Sequence, residues 1–215
     1  VFNAPWTVTS LIAVLVASHA LRLFIGAPVD RFALIAGDLA AGRIGGLLTY
    51  QFVHANWIHV LMNTAFVLAF GPPVARYLGA TTQGAAAFFA FFLACGAAAA
   101  GGFGLLADLL AASRGAAPTW ALLGASGAAS GLMGASARLI QGRGRLGSMF
   151  GPKVVAMTAS WIIINAILGL SGLTPGAGGA PVAWEAHIFG YVAGLLTIGL
   201  FGRIASVSDD HVNAF

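Results

Sequence analysis

Long apolar runs joined by short connectors constrain this chain more than any other feature. The runs at 6–25, 84–106, 154–170 and 182–201 are almost free of charge. Two more, at 57–75 and 122–140, are apolar apart from a few marked positions: His59, Asn63 and Ser126. A bilayer core about 30 Å thick takes around 20 mostly apolar residues per helix. Only 7% of the 215 residues are charged and 59% are hydrophobic, where a soluble domain carries roughly 25% charge. The expected fold is therefore an all-α membrane protein with six transmembrane helices, over 6–25, 57–75, 84–106, 126–140, 154–170 and 182–201. The first run lacks the basic start of a cleaved leader and is long for one, so it is read as a span. A single domain over 1–215 is expected, because no charged or linker-like stretch is long enough to hold a second.

The net charge of +4 raises the question of nucleic acid. The basic residues lie scattered between spans and build no basic groove or aromatic-basic patch, so no nucleic-acid partner is expected. Membrane topology accounts for them better, since cytoplasmic loops gather Lys and Arg. Arg138, Arg143, Arg145 and Lys153 cluster after the fourth span, with Arg76 and Arg203 on the same side, against Arg22, Arg31, Arg43 and Arg114 on the other. Both termini are then expected in the cytoplasm. The lone cysteine, Cys95, allows no internal disulfide and no Cys-based metal site.

Two connectors are long. The outer loop at 26–56 is too interrupted by Gly, Asp and Arg to span, yet apolar enough to lie in the interface or partly enter the membrane. The second long connector, 107–121, leads to the fourth span. In the second span Asn56 is placed to cap the helix, and Pro72 and Pro73 are expected to weaken its far end.

Polar groups inside a bilayer are costly unless paired, so they are the best functional pointers in such a chain. His59 and Asn63 are four apart and share one helical face. Gly127 and Gly131 form a G-x-x-x-G beside Ser126, Ser130 and Gly134. Gly190 and Gly194 form a second one on the face of His187. Two such small-residue faces can approach backbone to backbone. A close contact of the fourth and sixth spans would bring His187 within the roughly 2.6 to 3.2 Å at which a general base takes a serine proton. Taken singly, each residue also has a plainer reading: Ser126 as a packing or capping serine, His187 as a satisfied core histidine, His59 with Asn63 as a structural pair.

Together these segments resemble the rhomboid family of intramembrane serine proteases. The matching pieces are HANWIHVLMN in the second span, GASG opening the fourth and AHIFGYVAGLL in the sixth. Within them H-x-x-x-N is His59 to Asn63, G-x-S-G is Gly124 to Gly127, and A-H-x-x-G-x-x-x-G is Ala186 to Gly194, and the resemblance runs from about Trp6 to Phe201. It implies a six-helix rhomboid-type bundle in which Ser126 is the nucleophile and His187 the general base of a Ser-His dyad. It further implies oxyanion stabilisation by the Ser126 backbone N–H with His59 and Asn63, support from Gly124, Gly127, Gly190 and Gly194, and substrate gating by the fifth helix and the loop after it. Glu185, the one acid near His187, belongs to a different helical face, and no third carboxylate is required. The implied partners are single-span or multi-span membrane-protein substrates and the lipid bilayer, with no cofactor and no metal.

Four positions depart from the family pattern. Gly45 and Gly46 stand where many members carry a Trp-Arg pair. Ser130 replaces an aromatic residue that stacks on the base, and Ala75 replaces a glutamate. The competing readings are a non-proteolytic relative that binds transmembrane clients, and a small channel, transporter or histidine-ligated metal or haem protein built on His19, His54, His59 and His187. The retained serine and histidine argue against the first. The lack of an internal repeat and of paired metal-ligand spacing argues against the second. Short loops and the absence of added domains point to a bacterial cytoplasmic membrane.

Overall fold

The structure, a computed structural model, describes residues 3–171 and 182–212. Among these residues seven α-helices follow one another: α1 (Trp6–Phe24), α2 (Gly46–Thr49), α3 (Trp57–Leu78), α4 (Thr82–Ser113), α5 (Ser126–Gln141), α6 (Pro152–Ser171) and α7 (Trp184–Val212). Two short strands, β1 (Leu34–Ile35) and β2 (Ala121–Leu122), pair antiparallel. Among the described residues five helices, α1, α3, α4, α6 and α7, are long and apolar enough to cross a membrane.

The sixth long apolar segment, α5, has 16 residues and so rises about 24 Å at 1.5 Å per residue. It stands at the centre of the bundle, with every residue from Gly127 to Ala137 buried, and it packs against α3, α4, α6 and α7. Its composition explains how so many neighbours fit. A Cβ on Gly190 would collide with the Gly127 carbonyl, one on Gly194 with the Gly131 carbonyl, and one on Gly134 with the Tyr191 carbonyl. The two G-x-x-x-G faces read from the sequence thus meet as a direct backbone contact between α5 and α7. On its other sides α5 meets the main core, where Val60 and Val67 of α3 and Phe88, Phe91 and Phe92 of α4 cluster with Ala125, Ala128 and Leu132. The outer helices turn large apolar residues outward, among them Leu61, Leu109, Ile163, Ile167 and Leu200, as lipid-facing surfaces require.

Pro72 and Pro73 do not end α3, which continues to Leu78. Prolines are tolerated in such helices where neighbours bond the backbone groups of the loosened turn. The carbonyls that lose an N–H partner to the two prolines are those of Leu68 and Ala69, and beside them Ser136 of α5 donates to the Phe70 carbonyl at 2.6 Å. Both long helices flanking the tight turn at 79–81 start from side-chain caps: Asn56 Oδ1 accepts the His59 N–H at 2.9 Å, and Thr81 Oγ1 accepts the Gly84 N–H at 3.1 Å.

The outer loop is a folded layer rather than a free connector. The Asp38 carboxylate accepts from the Arg43 guanidinium at 2.7 Å and from the Ile35 N–H at 3.0 Å. Gln51 donates to the Leu47 and Leu93 carbonyls, and the Tyr50 hydroxyl donates to the Gly96 carbonyl at 2.8 Å. This layer grips the segment that leads into α5. Leu34 pairs with Leu122, the Ala36 N–H donates to the Trp120 carbonyl at 2.9 Å, and the Gly124 N–H donates to the Tyr50 carbonyl at 2.9 Å. Gly46, one of the two glycines at the Trp-Arg positions, packs closely on Leu34, so that an added Cβ would press on that side chain.

Candidate active site

Ser126 is the first residue of α5, preceded by Gly124 and the capping position Ala125. Gly124 has φ +103, a left-handed conformation that favours glycine. A Cβ there would also meet His59 Nε2 at 2.6 Å. Glycine at this position therefore both bends the chain ahead of the serine and lets the His59 ring lie on that bend. Asn63 is buried one turn along α3, with Nδ2 donating to the His59 carbonyl at 3.0 Å. His59 and Asn63 thus stand beside the backbone that delivers Ser126.

The backbone contact between α5 and α7 sets the next distance. Ser126 Oγ and His187 Nε2 are hydrogen-bonded at 2.8 Å. Ser126, His59 and His187 are each half-buried, whereas Asn63 is buried. Gly127, next to the serine, packs against Ala99 and the Tyr50 hydroxyl.

Two features of the site were missed in the sequence. His187 Nδ1 is hydrogen-bonded to Asn165 Oδ1 of α6 at 2.7 Å, and the Trp161 ring, one turn earlier on α6, lies 6.0 Å from the His187 ring at an interplanar angle of 37°. Asn165 is a polar residue inside an apolar run, the kind of signal that singled out the others, and its spacing from Trp161 puts both on one face. Ser130 does not take the stacking place of an aromatic residue. Its hydroxyl turns back to the Ser126 carbonyl at 2.7 Å, and α6 supplies the ring instead.

His54 and His19 form a buried annex. The rings of His19, His54 and His59 follow one another edge to face, with centroids 6.2 and 5.2 Å apart. His54 Nε2 accepts the Ala125 N–H at 3.4 Å, so this ring holds the peptide just before the serine. Burial, reinforced by nearby His59, His19 and Arg22, pushes His54 down to about 3. Among the described residues no three His, Cys, Asp or Glu side chains are grouped to hold a metal ion.

The family model described as Rhomboid domain matches residues 41–204. That match takes in the outer layer from before α2, and every helix that touches Ser126 or His187. The chain belongs to the rhomboid family. It is an integral membrane protein with the all-α bundle expected of a rhomboid, and rhomboids are generally serine proteases acting on membrane-embedded proteins, with some inactive relatives. No curated protein matches the chain. The rhomboid match begins within the outer loop, so α1 lies beyond it.

The loop after the fifth expected span, 170–183, which the resemblance gives as part of a substrate gate, lies outside the described residues over 172–181.

Proposed function

We propose that this protein is an intramembrane serine endopeptidase that cuts transmembrane segments of membrane proteins near the outer face, with Ser126 as nucleophile and His187 as general base. The observation that carries this reading is the 2.8 Å hydrogen bond between Ser126 Oγ and His187 Nε2. A serine hydroxyl is a weak nucleophile until a base stands at that distance. In the reaction His187 takes the hydroxyl proton as Oγ bonds to the scissile carbonyl carbon, and the carbonyl π electrons move to oxygen. When the tetrahedral adduct collapses, the C–N bond breaks and His187 gives the proton to the leaving amine. A water molecule then repeats the sequence on the acyl-enzyme and frees Ser126.

The oxyanion would be met by three donors. The Ser126 N–H belongs to the first turn of α5, where backbone N–H groups have no partner within the helix and the helix dipole favours negative charge. His59 Nδ1 accepts from the Ala55 N–H at 3.4 Å, which leaves the ring proton on Nε2, the atom next to Gly124. Asn63 spends one amide hydrogen on the His59 carbonyl and has a second to offer. Removing one such donor typically costs about 10²- to 10³-fold in kcat.

The short α5 also suits work below the membrane surface. Its rise of about 24 Å falls short of a hydrocarbon core about 30 Å thick, which would inset a serine at its first residue. Positive charge after α5 puts that end of the helix, and both termini, in the cytoplasm, and the short loops suit a bacterial cytoplasmic membrane. A fluorophosphonate probe tests the nucleophile: the reading requires labelling at Ser126 in the wild type and none in His187→Ala. A chain that resists the probe while still binding transmembrane peptides would be a client-binding relative instead.

A further inference from the structure

We propose that Asn165 of α6 is a positioning residue for the base, fixing His187 in the tautomer that can accept the Ser126 proton. The kinetic part of this proposal rests on the protease reading; the tautomer itself does not.

An asparagine facing an imidazole can present either its carbonyl oxygen or its NH2 group, and the two choices have opposite consequences. If the oxygen faces Nδ1, the ring must carry its proton on Nδ1, and Nε2 is left with a lone pair. If the NH2 group faces Nδ1, the proton is driven to Nε2 and the ring cannot accept from serine. The second hydrogen bond of Asn165 decides between them. Its Nδ2 lies 2.8 Å from the Trp161 carbonyl, which can only accept. Turning the amide over would set oxygen against oxygen there. With Nδ2 committed to Trp161, Oδ1 faces His187 Nδ1 at 2.7 Å, and the lone pair of Nε2 points to Ser126 Oγ at 2.8 Å.

Burial strengthens the argument. Asn165 is 2% exposed, so water does not compete for its oxygen, and leaving that oxygen unpaired would carry the full desolvation cost. On α6 the side chains that turn inward are Val154, Trp161 and Asn165, while Ile162, Ile163, Ile164 and Ile167 face outward. The inward face also ties to α7 through Thr158 Oγ1 and the Tyr191 hydroxyl at 2.8 Å. The base therefore depends on a third helix, beyond the two that carry the serine and the histidine. When His187 becomes an imidazolium, the same Nδ1–H···Oδ1 bond becomes charge-assisted and strengthens, although a neutral amide offsets the new charge less than a carboxylate would.

Two measurements on the full chain test this. The first follows cleavage of a single-span substrate in proteoliposomes by wild type, Asn165→Leu and Asn165→Asp. Leucine removes the acceptor, and the expected result is a fall in kcat on the order of 10- to 100-fold with KM unchanged. Aspartate returns an acceptor to Nδ1 but sets its second oxygen against the Trp161 carbonyl, so it is expected to recover only part of the rate lost in the leucine variant. A leucine variant within twofold of wild type would overturn the proposal. The second records 15N spectra of histidine-labelled protein in detergent, with His187 assigned from its loss in His187→Asn. The wild type should show Nδ1 protonated and Nε2 bare, and Asn165→Leu a mixture. A wild type with the proton on Nε2 overturns the proposal. If the wild type cleaves nothing, the protease reading fails and the spectra still decide the tautomer.

Discussion

Gly190 of α7 lies against the Gly127 carbonyl of α5 at a separation that no side chain at 190 permits. Four residues on, Gly194 repeats the relationship with Gly131. One helical turn from Gly190 in one direction and one residue from Gly127 in the other stand His187 and Ser126, so the spacing of two backbones sets the distance between the serine hydroxyl and the imidazole.

The first prediction tests that dependence. Gly190→Ala should force the helices apart, at a cost of about 1–3 kcal/mol as for other overpacked sites, seen as a lower Tm in detergent. Activity should fall further than stability, because a 2.8 Å hydrogen bond does not survive a shift of the helix. Gly101→Ala in α4, where an added Cβ meets nothing within 4 Å, is expected to leave both unchanged. Equal behaviour of the two variants would contradict the contact.

Gly124→Ala should separate activity from fold. The φ of +103 and the closeness of His59 Nε2 mean that the methyl strains the bend and displaces the ring. Left-handed backbone costs a non-glycine residue about 1–2 kcal/mol, so a bundle of this size remains folded. We expect a modest loss in Tm and a loss of at least 10²-fold in kcat, comparable to removing an oxyanion donor. Wild-type turnover in this variant would remove His59 from the site.

His59→Ala and Asn63→Ala each remove a proposed donor to the oxyanion. Each should lower kcat by about 10²- to 10³-fold with little change in KM, while the serine still labels slowly with a fluorophosphonate. A change confined to KM would mean that these side chains bind substrate without stabilising the transition state.

His54 makes stability depend on pH. In the folded chain it is held down to about 3, against roughly 6.5 for a free histidine. Between those values the unfolded state binds the extra proton, so the contribution of His54 is complete above about pH 6.5 and declines as pH falls toward 3. Tm in detergent should drop on going from pH 7 to pH 5. His54→Gln, which still offers an acceptor to the Ala125 N–H, should flatten that dependence by up to about 1.4 kcal/mol per pH unit. An unchanged slope would show that His54 is protonated in the fold.

The parts of this site that were legible in the sequence are those written in short spacings. His59 with Asn63, the G-x-S-G around Ser126, and the glycines four apart beside His187 each declare a helical face, and small faces in a membrane meet. Contacts between distant segments leave no such mark. Nothing in the 26–56 stretch announces that Leu34 pairs with Leu122 or that Tyr50 holds Gly124. Asn165 sits in an ordinary apolar run, and its partner lies 22 positions away on the next helix. Pro72 and Pro73 weaken a helix that stands alone, whereas here α3 runs through them to Leu78, packed against α5. The ring beside His187 likewise comes from another helix, Trp161 of α6, with its centroid 6.0 Å away.

The central claim is that Ser126 and His187 together cut peptide bonds inside the membrane. Its most direct measurement is cleavage of a single-span protein with small, helix-loosening residues near its outer end, in proteoliposomes, by wild type, Ser126→Ala and His187→Ala. The account predicts a defined cut by the wild type and none by either variant, with all three chains folded to similar Tm. Cleavage by Ser126→Ala or His187→Ala at the wild-type rate would contradict it.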